Sequence, residues 1–178
     1  MRIVETPING IWALKATPLI DERGWFARLV DVDEISAHAL PFTIVQANAS
    51  FNAKRDTLRG LHYQAEPHGE VKIVRCTAGV IFDVGVDIDP ASPTYLQWHG
   101  CELSSDNHDA LLLGPRIAHG FQTLSDNAEV HYLMGAPYIA AAQRGLRWDD
   151  PQVGITWPDP ISERILSDRD LEFPLLPA

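Results

Sequence analysis

Val80-Ile81-Phe82-Asp83-Val84-Gly85-Val86-Asp87-Ile88-Asp89 carries the cleanest two-residue alternation in the chain. Val80, Phe82, Val84, Val86 and Ile88 fall on one parity; Ile81, Asp83, Gly85, Asp87 and Asp89 fall on the other. Successive side chains of a strand point to opposite faces, so the stretch reads as a β-strand with one apolar face and one largely polar face. Turn residues bound it on both sides: Thr77-Ala78-Gly79 before, Pro90-Ala91-Ser92-Pro93 after.

The same punctuation continues outward. Upstream, Val71 to Cys76 reads as a strand, and Ala65 to Glu70 as a loop because it holds Pro67 and Gly69. Leu58 to Gln64 and Phe42 to Phe51 read as further strands. In the latter, Gln46, Asn48 and Ser50 share one parity, and such a face lines either water or a polar pocket. Val32 to Leu40 is expected to be a short helix, capped by Asp31 or Asp33 and ended by Pro41. The first twenty residues read as two short strands, followed by a turn at Asp21-Glu22-Arg23-Gly24. Downstream, strands are expected near Tyr95–His99, Gly100–Leu103 and Ala110–Leu113. Ile117 to Leu124 and Glu129 to Met134 read as a hairpin joined through Ser125-Asp126-Asn127. Ala140-Ala141-Ala142 starts a helical turn, while Trp148-Asp149-Asp150-Pro151 and Trp157-Pro158-Asp159-Pro160 read as loops. No repeat or linker divides the chain, so residues 1–178 are expected to form one domain. Many short strands, regular turns and little helix give a mainly β fold, a sandwich or barrel; a cupin-like jelly-roll barrel with a few short helices suits this length.

Composition narrows the function. The 178 residues are 46% hydrophobic and 21% charged, as in a globular protein. A net charge of −10 argues against nucleic-acid binding. No apolar run is long enough for a membrane span, and Met1 to Pro7 lacks a signal-peptide core, so a cytoplasmic protein is expected. The two cysteines, Cys76 and Cys101, have no metal-type spacing and are expected to be reduced.

The chemistry concentrates in Thr57-Leu58-Arg59-Gly60-Leu61-His62-Tyr63-Gln64. Histidine titrates near neutrality and is the default general base. A guanidinium close by points to an anionic substrate. In a regular strand His62 and Gln64 share a face and Arg59 takes the other. Either Gly60 marks a bulge that re-aims the chain, or Arg59 serves a different part of the site.

Several motifs stand in one order: Gln46-x-Asn48-x-Ser50, Leu58 to Gln64, Val71-Lys72-Ile73-Val74-Arg75, Asp83-Val84-x-Val86-Asp87, Ser92-Pro93-Thr94, Ala118-His119-Gly120-Phe121 and Leu166-Ser167-Asp168-Arg169-Asp170. Together they resemble the dTDP-4-dehydrorhamnose 3,5-epimerase family, from about Arg23 to Asp170. The resemblance implies a cupin-like homodimer acting on a nucleotide-diphosphate sugar, a dTDP-4-keto-6-deoxyhexose, without a bound cofactor or metal. It implies His62 as base, Asp170 as its partner, Lys72 beside the enolate oxygen and Tyr132 as acid. A C4 ketone acidifies the hydrogens at C3 and C5, so a base, an opposing acid and a cation suffice for epimerisation. Read without the resemblance, Tyr132 is an ordinary strand aromatic and Asp170 an exposed tail residue.

On the substrate side the resemblance implies Arg23, Arg59 and Arg169 at the diphosphate. It implies Gln46, Asn48 and Tyr138 toward the nucleotide, and His119 elsewhere in the pocket. Asp83 is expected to support His62 or Lys72. The chain departs from the family pattern at Arg28, Ala49, Asp89, Leu133, Gln143 and the Met134-Gly135-Ala136-Pro137 segment. All but Asp89 are expected near nucleotide- or sugar-contacting regions, and therefore to alter which sugar is used or whether one carbon or both are inverted. Two other readings stand beside this one. In a metal-binding cupin, an oxygenase or sugar-binding module, His62, Glu66, His68 and His119 would be ligands; the usual His-x-His pair is here His62-x-Gln64, and an amide replaces imidazole poorly. The other is a catalytically idle carbohydrate-binding protein.

Overall fold

The computed structural model describes residues 1–158 and 164–177; the proposed loop residues Asp159 and Pro160 lie outside them. Strands run in chain order as Arg2–Glu5 (β1), Ile11–Lys15 (β2), Leu19–Asp21 (β3), Gly24–Phe26 (β4), Gln46–Asn52 (β5), Leu58–Gln64 (β6), Lys72–Ala78 (β7), Val80–Asp87 (β8), Trp98–Ser104 (β9), Ala110–Leu113 (β10), Ile117–Thr123 (β11), Ala128–Met134 (β12) and Gln143–Gly145 (β13). Helix Val32–His38 (α1) lies between β4 and β5, and Asp168–Leu171 (α2) near the C-terminus. One sheet has the order β1-β2-β10-β7-β12-β5, the facing one β13-β6-β11-β8-β9, and β3 with β4 forms a separate hairpin. Every pairing in them is antiparallel. This is a jelly roll, mainly β, with two short helices and a 3₁₀ turn at Ala140–Ala142 among the described residues.

The alternation of β8 explains how the layers assemble. Val84 and Val86 pack outside the five-stranded sheet with Leu58, Leu61, Leu146, Trp148 and Trp157. Ile81, on the other parity, packs between the sheets with Val74, Leu111, Leu113, Ile117 and Phe121. The polar parity of β8 therefore faces the barrel interior, and the apolar parity is covered by the segment after β13. A third cluster lies outside the six-stranded sheet, where Ile35 of α1 covers Leu14, Ile73, Ala110 and Leu112. Asp31 caps α1 by accepting from the Glu34 N–H, which settles the choice between Asp31 and Asp33.

Several sequence expectations change: β1, β2 and β3 all begin within the first twenty residues, where two strands were expected, and β13 lies where none was expected. Ile117–Thr123 and Ala128–Met134 do not form a hairpin: β11 pairs with β6 and β8, β12 with β5 and β7, so the turn between them crosses from one sheet to the other. The two strands expected across Tyr95–Leu103 are one, β9, because Leu96 and Gln97 turn back onto Asp87 and Thr94 through backbone bonds. Residues 42–45 precede β5 instead of belonging to it. Cys76 and Cys101 are free, and burial pushes their thiols up to about 11 and about 12. Among the described residues, no helix is long and apolar enough to cross a membrane.

Candidate active site

Strand parity supplies most of the site. On β5 the inward residues are Gln46, Asn48 and Ser50; on β12, Tyr132 and Met134; on β7, Lys72. The facing sheet contributes Arg59, His62 and Gln64 from β6 and His119 and Phe121 from β11. These residues, with Tyr63, Glu70, Tyr138 and Gln143, line a cavity of about 340 Å³ between the sheets. One end of the barrel interior is thus packed with aliphatic side chains, and the other is lined with polar ones.

The β6–β11 register resolves the position of Arg59. His119 pairs with His62 and Phe121 with Arg59, so β6 carries one more residue than β11 over this interval. Gly60 is the extra residue, with φ +127°. The bulge returns Arg59 to the cavity side that His62 occupies, while Leu58 and Leu61 point into the outer core. A Cβ on Gly60 would lie 2.6 Å from the Gly120 Cα and 2.9 Å from the His119 carbonyl oxygen. The two strands meet here backbone to backbone.

His62 Nε2 lies 2.6 Å from Asp170 Oδ1. Asp170 belongs to α2, whose N-cap Ser167 accepts its backbone N–H. It is buried at 3% exposure, not the exposed tail residue that its position alone implied. Burial raises the Asp170 carboxyl, but hydrogen bonds from His62, Ser167 and the Gly60 backbone outweigh it and hold the group below the usual carboxylate range. An ionised carboxylate only accepts, so Nε2 carries the proton shared with Asp170, and in the neutral imidazole the lone pair is on Nδ1. Phe173 closes against the ring edge-on at 5.4 Å.

A second pair lies beside the first. His119 Nε2 is 2.8 Å from Asp83 Oδ1, and Asp83 is fully buried. Asp83 therefore supports His119, not His62 or Lys72 as expected. Its place on the inward parity of β8 is opposite Phe121, two pairs along the ladder from His119 and on the same face. On the far wall Tyr132 shares a 3.1 Å hydrogen bond with Ser50 Oγ, and burial pushes its phenol up to about 12. It is a protonated hydroxyl at any physiological pH. Arg59 donates to Asn52 Oδ1 at 2.7 Å, Gln46 to Asn48 at 2.9 Å, and Tyr138 to Gln143.

Not every proposed residue comes to this cavity. Arg23 is exposed on the β3–β4 hairpin and paired with Asp21. Arg169 is exposed on α2. Ala49 and Leu133 occupy the outward parity; Leu133 packs against the cluster under α1. Arg28 pairs with Asp31 at 2.8 Å on the surface. Of these departures from the family pattern, Gln143 and Met134 line the cavity. The metal-ligand set disperses: His62 and His119 hold carboxylates, Glu66 holds Arg116, and among the described residues no group of three ligating side chains could hold a metal. Sequence reasoning passed over Glu70. It is a charged residue in an apparent loop, and nothing in its spacing signals that it is buried.

The family model for dTDP-4-dehydrorhamnose 3,5-epimerase matches residues 5–177. A dTDP-4-dehydrorhamnose 3,5-epimerase from Sinorhizobium fredii is 42% identical over 156 residues, covering 88% of this chain and 80% of that protein. The crystal structure of dTDP-4-dehydrorhamnose 3,5-epimerase from Bacillus anthracis, with TDP and PPi bound, superposes with a TM-score of 0.92 at 36% identity, over 98% of this chain and 99% of the other. A 3'-monoepimerase from Streptomyces bikiniensis, in complex with dTDP-quinovose, superposes with a TM-score of 0.89 at 31% identity, over 97% and 86%. Motif order, barrel and match agree over nearly the whole chain, and the protein belongs to the dTDP-4-dehydrorhamnose 3,5-epimerase family.

Proposed function

We propose that this protein epimerises a dTDP-4-keto-6-deoxyhexose at C3, C5 or both by proton transfer through an enolate. The observation that carries this is the placement of His62 and Tyr132 on opposite sheets around one cavity. A sugar ring between them meets a base on one face and a proton donor on the other. His62 Nδ1 removes the proton next to the C4 carbonyl, and Asp170 stabilises the imidazolium. Lys72, buried in the wall that carries Tyr132, compensates the oxyanion at O4. Tyr132 delivers a proton from the opposite face. Arg59 meets the diphosphate, while Gln46, Asn48 and Tyr138 face the nucleotide.

The test is a proton NMR time course in deuterated water with dTDP-4-keto-6-deoxyglucose. Deuterium should enter at C3, C5 or both, and its distribution decides between single and double inversion. No exchange at either carbon would overturn the reading. Tyr132→Phe keeps the base and loses the acid. It should retain exchange while slowing inversion by about 100-fold, in the usual range for general acid catalysis. Equal loss of both would mean that Tyr132 does not act as the opposing acid.

The family pattern also supports a homodimer. Leu19, Ile20, Trp25 and Phe26 on the β3–β4 hairpin are 71%, 82%, 49% and 73% exposed, an apolar surface that calls for a cover. Arg23 on the same hairpin then reaches the diphosphate across the interface. Sedimentation at micromolar concentration should give a dimer, and Ile20→Asp with Phe26→Asp should give a monomer. A monomeric wild type would defeat this assembly.

A further inference from the structure

Lys72 does not stand alone in the wall of the cavity. Its Nζ lies 2.8 Å from Glu70 Oε1, and the two residues are only 4% and 7% exposed. Glu70 Oε2 accepts from Gln64 Nε2 at 2.9 Å. Gln64 is buried and fixed in turn: its Oε1 accepts the Ile139 N–H at 2.6 Å, and its Nε2 also lies 3.2 Å from the Pro137 carbonyl oxygen and 3.3 Å from that of His68. Each carboxylate oxygen of Glu70 therefore has a defined partner, and one partner is anchored at three points. An ion pair at this depth contributes little net stability, because desolvating the two charges offsets most of their attraction. What it does fix is direction. A lysine ammonium rides on a flexible four-carbon stem, and a rigidly held carboxylate selects one of its rotamers.

We infer that Glu70 is a positioning residue for the reaction: it holds the Lys72 ammonium where the enolate oxygen develops, with Gln64 orienting the carboxylate. This rests on the reading of Lys72 given above. Preorganised charge lowers a barrier only when it is already aimed, and a displacement of about 1 Å can cost about 100-fold in rate. Because Glu70 acts through Lys72, its effect should vanish once the ammonium is gone.

The experiment is a double-mutant cycle on the intact protein, with wild type, E70Q, K72M and E70Q/K72M. Deuterium incorporation into dTDP-4-keto-6-deoxyglucose gives kcat and KM, and thermal melts check folding. E70Q should lower kcat by about 10- to 100-fold with KM changed less than about threefold, since the cation is misplaced and the substrate is still held. K72M should lower kcat by about 100- to 1,000-fold. The double variant should match K72M within about twofold. If E70Q does not fold, Glu70→Asp, which keeps the charge but shortens its reach, carries the same cycle with the same expected non-additivity. An unchanged kcat in folded E70Q, or losses that multiply in the double variant, would overturn the role of Glu70 and leave Lys72 in place. Near wild-type activity in K72M would instead refute the role of Lys72, and this inference with it.

Discussion

His62→Ala is expected to abolish solvent exchange at C3 and at C5 together, by about 100- to 10,000-fold, the range that a positioned general base contributes. The two losses should be coupled because one imidazole serves both carbons, which flank the same carbonyl. Removing the ring leaves Asp170 buried without its partner, which costs stability. His62→Gln, whose amide can still donate to Asp170, separates folding from catalysis and should be as inactive. Asp170→Asn should also be severe. An amide can donate to Nε2, which shifts the proton to Nδ1 and removes the lone pair that does the work. NMR exchange rates for the three variants check this. If one carbon exchanges normally in His62→Ala, that carbon has another base, and the single-base mechanism fails.

Gly60→Ala is expected to dismantle the site from a position that bears no functional group. Its φ of +127° is disfavoured for any residue with a Cβ, and that Cβ would lie 2.6 Å from the Gly120 Cα. Backbone cannot rotate aside, so β6 and β11 must separate where His62 pairs with His119. We expect a loss of stability above the 1–3 kcal/mol that backbone strain alone brings, about 3 kcal/mol or more, with activity down at least 100-fold. Gly24→Ala is the control. Gly24 has a similar φ of +123° with nothing within 4 Å of its added Cβ, so it carries strain without the clash. Urea midpoints and exchange rates should rank wild type, Gly24→Ala, Gly60→Ala. Equal effects of the two substitutions would show that the close approach of β6 and β11 is not what matters.

The pocket also revises an expectation about specificity. Arg28, Ala49, Leu133 and Gln143 depart from the family pattern and are expected from the sequence near nucleotide- or sugar-contacting regions; Ala49 and Leu133 directly follow Asn48 and Tyr132. Parity separates them. Asn48 and Tyr132 face inward, so their neighbours Ala49 and Leu133 face outward. Gln143 does line the cavity, bonded to Tyr138, and any effect of these four on ligand choice inside one subunit falls on it.

The sequence by itself determined the longer strands β5 to β8 and β10 to β12 to within a few residues, which face of β5 and β8 is polar, and most of the turns between them. It determined these because alternation and turn chemistry are local: β8 needs no partner to declare its two faces, and Asp31 needs only Glu34 to start α1. Motif order also picked out His62, Lys72, Tyr132 and Asp170 as the candidate catalytic set. What only the tertiary structure decided was which faces meet. Alternation cannot assign a strand to a sheet, since any strand can satisfy any other's backbone, and so β11 and β12 read as a hairpin although they lie in opposite walls. A count of two cannot register the bulge at Gly60 that brings Arg59 round to His62. Nor can it show that Asp170, from the chain's far end, is buried against His62, or that Glu70 in an apparent loop is buried against Lys72. A charged residue is buried when a partner from elsewhere offsets its desolvation, and that partner is set by the fold, not by its neighbours in the chain.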